Sequence, residues 1–157
     1  MAGPGGRLIG LGHDFQLISE VERVSALREP GVFFTSAELC RFASAVVPSQ
    51  SLAGGFAAKE GLFKALPADV SWFWTDAELI ADSHGAPQFR MHCRLARQLA
   101  RRRLHVHVSI SHSGGFASSV VVVSSGARRL THIFATINRT VRDAFQGVTA
   151  HGVGASQ

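Results

Sequence analysis

At 157 residues, with 46% hydrophobic and 17% charged side chains, the chain has the size and balance of one globular domain that can build its own core. Two cysteines, Cys40 and Cys93, stand far apart without metal-type spacing, which excludes a disulfide scaffold and favours a reduced, cytoplasmic protein. No apolar run reaches membrane length, so no membrane role is expected, and a net charge of +5 points to an anionic partner: nucleic acid, a phosphorylated cofactor or an acidic protein.

Residues 1–6 lack the apolar stretch of a signal peptide and read as a flexible lead-in. Arg7–Phe15 reads as a strand whose apolar run stops at the polar pair His13-Asp14. Leu17–Leu27 carries apolar residues at helical spacing. Thr35-Ser-Ala-Glu38 is a capping box that opens a second helix, and Pro48 is expected to close it within Val46–Gln50.

The central helix begins near Ser51 or Leu52 and carries the most informative stretch, Leu52-Ala-Gly-Gly-Phe-Ala-Ala-Lys-Glu-Gly-Leu-Phe-Lys-Ala-Leu66. Glu60 and Lys64 are four residues apart and share a face of that helix. Their neighbours are almost all apolar or small, and a buried charge is costly unless it is paired or holds a ligand.

Pro67–Trp74 is a connector with two tryptophans. Ala77–Ala81 and Gln88–Met91 read as strands joined by the turn Asp82-Ser-His-Gly-Ala-Pro87. His92–Arg103 reads as a basic amphipathic helix whose arginines form a solvated face. Nucleic-acid recognition would add stacking aromatics or a reading module, and neither is evident.

His105–His112 alternates as a strand with one polar and one apolar face, Ser113-Gly-Gly115 is a hairpin loop, and Phe116–Val123 returns as an apolar strand. After Ser124-Ser-Gly126 the pattern changes. Leu130, Ile133, Phe134, Ile137, Val141 and Phe145 keep helical spacing over about 130–146, followed by a tail expected to be disordered. This helix would pack back on its own domain or serve an oligomer or partner contact.

Three segments carry candidate site groups: Asp14, then Lys59, Glu60 and Lys64, then Ser111-His112-Ser113. Two isolated carboxylates suit magnesium, which binds through one or two carboxylates plus substrate phosphates, with lysines as point charges on those phosphates. The duller accounts are a helix cap for Asp14, an ordinary Glu60–Lys64 salt bridge and a satisfied hairpin histidine at His112. A serine hydrolase fits poorly, because Ser111 and His112 point to opposite faces of a strand. A zinc site could use His105 and His107, but no third ligand follows from spacing.

Gly10-Leu-Gly-His-Asp14, Phe34-Thr-Ser-Ala-Glu38, Leu52–Glu60 with Lys64-Ala65, and Val108-Ser-Ile-Ser-His112-Ser113 occur in that order. Together with Asp76-Ala-Glu-Leu-Ile80 and Gly85-Ala-Pro87, they resemble the holo-acyl-carrier-protein synthases, the small 4'-phosphopantetheinyl transferases, from about Arg7 to Val123. The resemblance implies an α+β fold, with a long central helix packed on a small antiparallel sheet. It implies an enzyme that moves the phosphopantetheine arm of coenzyme A onto a serine of an acidic apo acyl carrier protein, releasing adenosine 3',5'-bisphosphate.

Asp14 and Glu60 match the family's Mg2+ ligands, Glu60 and Lys64 its catalytic groups, and Lys59, Lys64, His112 and Ser113 its cofactor contacts. Glu60 or a water on the ion would take the serine proton. A homotrimer with sites between subunits is implied, as is a carrier contact through Arg23 or Arg28. No nucleic-acid partner is implied. The competing expectation is a non-catalytic carrier- or partner-binding protein on the same fold.

The chain departs from the family pattern at three places. His13 replaces an aliphatic residue and should face away from Asp14; Gly55 replaces an arginine common in relatives; and Gly61 replaces alanine at a helix cost of roughly 1 kcal/mol. The expected boundaries are a domain at 7–124 and a C-terminal extension at 125–157. A chain ending at Ser125 should therefore keep its fold, checked by circular dichroism and thermal melting; aggregation or lost assembly would make the last helix structural.

Overall fold

Alternation decides the first strand. In the computed structural model, which describes residues 6–126, β1 (Arg7–Leu17) buries Gly12 and Asp14 and exposes Leu11, His13 and Phe15. It runs past the expected end because Gln16 and Leu17 pair with Ala117 and Phe116 of the last strand. That ladder shortens the first helix: α1 covers only Ile18–Arg23 and is followed by a 3-10 turn at Ser25–Arg28.

The Thr35–Glu38 capping box forms as its residues dictate and opens α2 (Ser36–Ala43). Pro48 does not close that helix; it occupies the first turn of α3 (Pro48–Ala65), where a residue without an N–H costs nothing. The chain continues through β2 (Ala77–Ala81), β3 (Pro87–Met91), α4 (Cys93–Arg102), β4 (Leu104–Ser113) and β5 (Phe116–Ser125). β1, β5 and β4 form an antiparallel sheet in that order, and β2 pairs with β3 in a separate hairpin.

α3 lies against the inner face of the three-stranded sheet, and small residues set how closely. A Cβ on Gly12 would collide with the Gly61 carbonyl oxygen, and one on Gly61 would stand 2.8 Å from Ser119 Oγ. Buried Ser119 instead donates to the Ala57 carbonyl at 2.6 Å. The glycine at 61 weakens the helix locally, and the backbone contact it permits offsets that loss.

One polar cluster ties the rest together. Lys59 is fully buried and donates to Glu38 Oε2, the Phe33 carbonyl and the Trp74 carbonyl, each at 2.9 Å. Glu38, also fully buried, accepts further from Thr35 N at 2.8 Å and Leu79 N at 2.8 Å. The ammonium also stands 4.9 Å from the Phe34 ring centroid. Burial pulls the Lys59 ammonium below its ordinary value, and the Glu38 carboxylate opposes that pull. All three ammonium protons have acceptors, which is the condition for a charge to sit in a core.

The sheet's outer face exposes large apolar side chains among histidines and serines. Leu11 is 59% exposed and Phe15 56%, and the Phe15 ring stacks on Phe116 at 4.7 Å. Register places His105 and His107 on this face with Val120 and Val122. No helix of the described residues is long and apolar enough to cross a membrane. The expected helix at about 130–146 lies outside the described residues.

Lys59→Met leaves Glu38 buried without its cation. The expected loss is about 3–5 kcal/mol in urea unfolding; a loss below about 1 kcal/mol would show that the pair is not what holds α2 and α3 together.

Candidate active site

β1 delivers Asp14 to the inner face, where it is 7% exposed and opposite Ser119 of β5. α3 crosses the same place with Glu60 and Lys64 one turn apart. Lys64 Nζ donates to Asp14 Oδ1 at 2.6 Å and to the His13 carbonyl at 3.2 Å. Gln16 Nε2 donates to Asp14 Oδ2 at 2.6 Å. Asp14 therefore does not cap α1, whose N-terminus is Leu17 without a side-chain cap.

Glu60 is partly buried, and its carboxyl is pushed up by burial first and by the Asp14 charge second, with Lys64 opposing. The Asp14 charge is thus felt at Glu60. Lys64 thus bridges from the helix to β1 instead of serving only as a neighbour to Glu60. The three groups form a small electrostatic site: two acids that repel, and a lysine whose side chain is 47% exposed.

Lys59 does not join them. It was expected at the cofactor, but its ammonium points into the core and its protons are used by Glu38 and two carbonyls. The difference is one of helix phase: residue 59 is turned about 100° from residue 60.

His112 and Ser113 lie at the end of β4, and the His112 ring, at Nε2, is 2.8 Å from the Gln50 carbonyl in the first turn of α3. Gln50 and Glu60 are separated along the helix by about 15 Å at 1.5 Å per residue. One chain therefore holds the expected site residues in two groups. Arg23 and Arg28 are exposed, and each donates to a backbone carbonyl close by in sequence, Ser19 at 2.8 Å and Glu22 at 2.6 Å.

Sequence reasoning missed Gln16. Its signal is simple: two residues after Asp14 on a strand, it shares the acid's face. His13 faces outward as expected, its Nε2 3.0 Å from Ser118 Oγ. Gly55 has a packing reason, since a Cβ there would stand 2.5 Å from Phe42 Cζ. Phe42 occupies the room an arginine would need. Among the described residues, no group of three or more His, Cys, Asp or Glu converges, so His105 and His107 gain no third ligand.

A long helix on a small antiparallel sheet, with two acids and a lysine where strand and helix meet, defines an α+β protein with a site suited to a phosphorylated group. The particular family comes from comparison. The sequence profile of the 4'-phosphopantetheinyl transferase superfamily matches residues 10–121, and the chain belongs to that superfamily.

A holo-acyl-carrier-protein synthase from Clavibacter michiganensis subsp. michiganensis is 38% identical over 122 residues, covering 75% of this chain and 97% of the relative. The crystal structure of the holo-acyl-carrier-protein synthase from Neisseria meningitidis superposes with a TM-score of 0.66 at 25% identity, covering 74% of this chain and 98% of that one. The enzyme from Bacillus anthracis, solved in complex with CoA (3',5'-ADP), gives a TM-score of 0.61 at 27% identity, covering 75% and 97%.

A carboxyl held above its ordinary value counts against the fold once ionised. That cost is full above the folded-state value, shrinks as pH falls below it and is gone below the ordinary value. Metal-free Glu60→Gln protein should therefore melt at or above the wild-type temperature near neutral pH, with the difference shrinking in acid. A lower melting temperature at neutral pH would mean that Lys64 makes ionised Glu60 stabilising.

Proposed function

We propose that the chain is a magnesium-dependent holo-acyl-carrier-protein synthase, which transfers the 4'-phosphopantetheine arm of coenzyme A to a serine of an apo acyl carrier protein. The observation that carries this reading is the convergence of Asp14, Glu60 and Lys64 in a chain of this superfamily. The names of its relatives and the coenzyme A complex of the Bacillus anthracis enzyme support it.

The donor set fits magnesium. Asp14 and Glu60 offer hard oxygens, the Asp14 charge raises the cost of charge on Glu60, and a cation held by both would relieve that cost. Asp14 and Glu60 would hold the ion, which when bound supplies positive charge at the coenzyme A pyrophosphate. Lys64, half exposed and already at Asp14, would turn its ammonium to a phosphate oxygen.

In the transfer, the carrier serine oxygen bonds to the phosphorus bearing the pantetheine arm. The bond from that phosphorus to the bridging oxygen breaks, and its electron pair leaves on adenosine 3',5'-bisphosphate. Lys64 offsets charge on that leaving group. The serine proton passes to Glu60 or to water. Gln16 holds Asp14 from the other side and keeps its carboxylate aimed.

The same reading takes His112 and Ser113 as nucleotide contacts and the assembly as a homotrimer. Two features support this: the two groups of site residues stand far apart on one chain, and the outer sheet face leaves Leu11 and Phe15 exposed. A cytoplasmic place in fatty-acid biosynthesis goes with it, consistent with two free cysteines.

The test is intact-mass analysis of apo acyl carrier protein incubated with coenzyme A, magnesium and this chain. A phosphopantetheine mass gain should appear, vanish with EDTA, and fall about a hundredfold or more in rate with Asp14→Ala or Glu60→Ala. No gain on several carriers by folded protein that binds coenzyme A would turn the reading to a non-catalytic carrier-binding protein. Leu11→Lys should shift the sedimentation mass from trimer to monomer; an unchanged mass would place the assembly contact elsewhere.

A further inference from the structure

β4 carries a pair of imidazoles that the candidate active site does not use. His105 and His107 alternate to the outer face of the sheet, opposite Ser124 and Val122 of β5, whereas Asp14 lies on the inner face of β1. Residues two apart on a strand stand about 6.6 Å from one another on the same face. That separation lets two imidazole nitrogens close on one ion, each at about 2.0–2.1 Å. The two rings also sense each other: burial first, and then the charge of His105, hold His107 below its ordinary value.

The surroundings of the pair favour neutral rings. Both histidines are half-buried, and neither β4 nor β5 contains an acidic residue to balance an imidazolium. Val122, set between His107 and Leu11 across the sheet, is buried and gives the pair an apolar wall. Neutral imidazole is the form that ligates a metal, so the environment holds both rings in the ligating state. His13 shares this face but sits on β1, its Nε2 3.0 Å from Ser118 Oγ. Among the described residues no third His, Cys, Asp or Glu converges on the pair. One chain therefore offers two nitrogens, and water fills the other positions around an ion.

We propose that His105 and His107 form a chelate for one borderline divalent transition-metal ion, of which Zn2+ is the type. Imidazole suits such metals, whereas Mg2+ prefers hard oxygens in octahedral geometry. The histidine pair and the Asp14–Glu60 pair lie on opposite faces of the sheet and select different ions. The chelate does not depend on the transferase reading. The plain alternative, two histidines that only pack against Val122, predicts no metal binding at β4.

The experiment is calorimetric titration of the untagged, metal-free full chain with Zn2+ in excess Mg2+, which competes for the carboxylates. One Zn2+ per chain should bind. His105→Asn and His107→Asn, each checked for folding by circular dichroism, should weaken that binding roughly tenfold or more, since loss of a group that merely supports a ligand already costs as much. Unchanged affinity in either variant overturns the proposal, as does the absence of Zn2+ binding by wild type.

A second measurement needs no variant. Cu2+, added at less than one per chain, should broaden the NMR signals of residues 105–107 most strongly, because its unpaired electron relaxes the nuclei nearest to it. Broadening centred on any other residue, or none, overturns the chelate. Transfer to a carrier enters neither measurement, so a chain inactive as a transferase still decides the question.

Discussion

The buried Lys59–Glu38 pair is the constraint on which the rest of the structure depends. It joins the start of α2, the middle of α3, the Phe33 and Trp74 backbone and the first strand of the hairpin at one ammonium and one carboxylate. An ion pair in a core is a poor source of net stability, but it is intolerant of misplacement, because either charge left alone is costly. It therefore fixes the rotation of α3 about its own axis. With residue 59 turned into the core, Glu60 and Lys64 turn toward β1, and Asp14 receives the lysine.

α3 thus treats its charges in two opposite ways. At Lys59, three protons find three acceptors and nothing is left over. One residue further on, Glu60 is partly desolvated and set against Asp14, a placement that raises its carboxyl above the ordinary range. Lys64 relieves only part of that repulsion. The site holds unfavourable charge, whereas the core pair is complete already.

Two surfaces of the single chain differ in kind. The outer sheet face mixes Leu11, Phe15 and Phe116 with three histidines, His13, His105 and His107, and burial together with the charge of His105 pulls His107 below its ordinary value. Such a face suits association with copies of itself. The exposed side of α4 is the converse, cationic and laid over buried leucines.

Much of this was legible in the residues. The Thr35–Glu38 capping box, the alternation of β4, and the four-residue spacing of Glu60 and Lys64 are local patterns, and local geometry alone decides them. The order of the motifs along the chain carried the family. What tertiary structure decided was orientation. α3 is apolar or small on nearly every side, so its periodicity does not say which lysine faces the core, and Lys59 went to Glu38 while Lys64 went to Asp14. Likewise Pro48 fits a helix end or a helix start equally well until packing chooses, and Gln16 belongs to β1 only because β5 lies beside it. The sequence specifies which groups are available and their spacing along an element; only the packing of one element on another determines which of them meet.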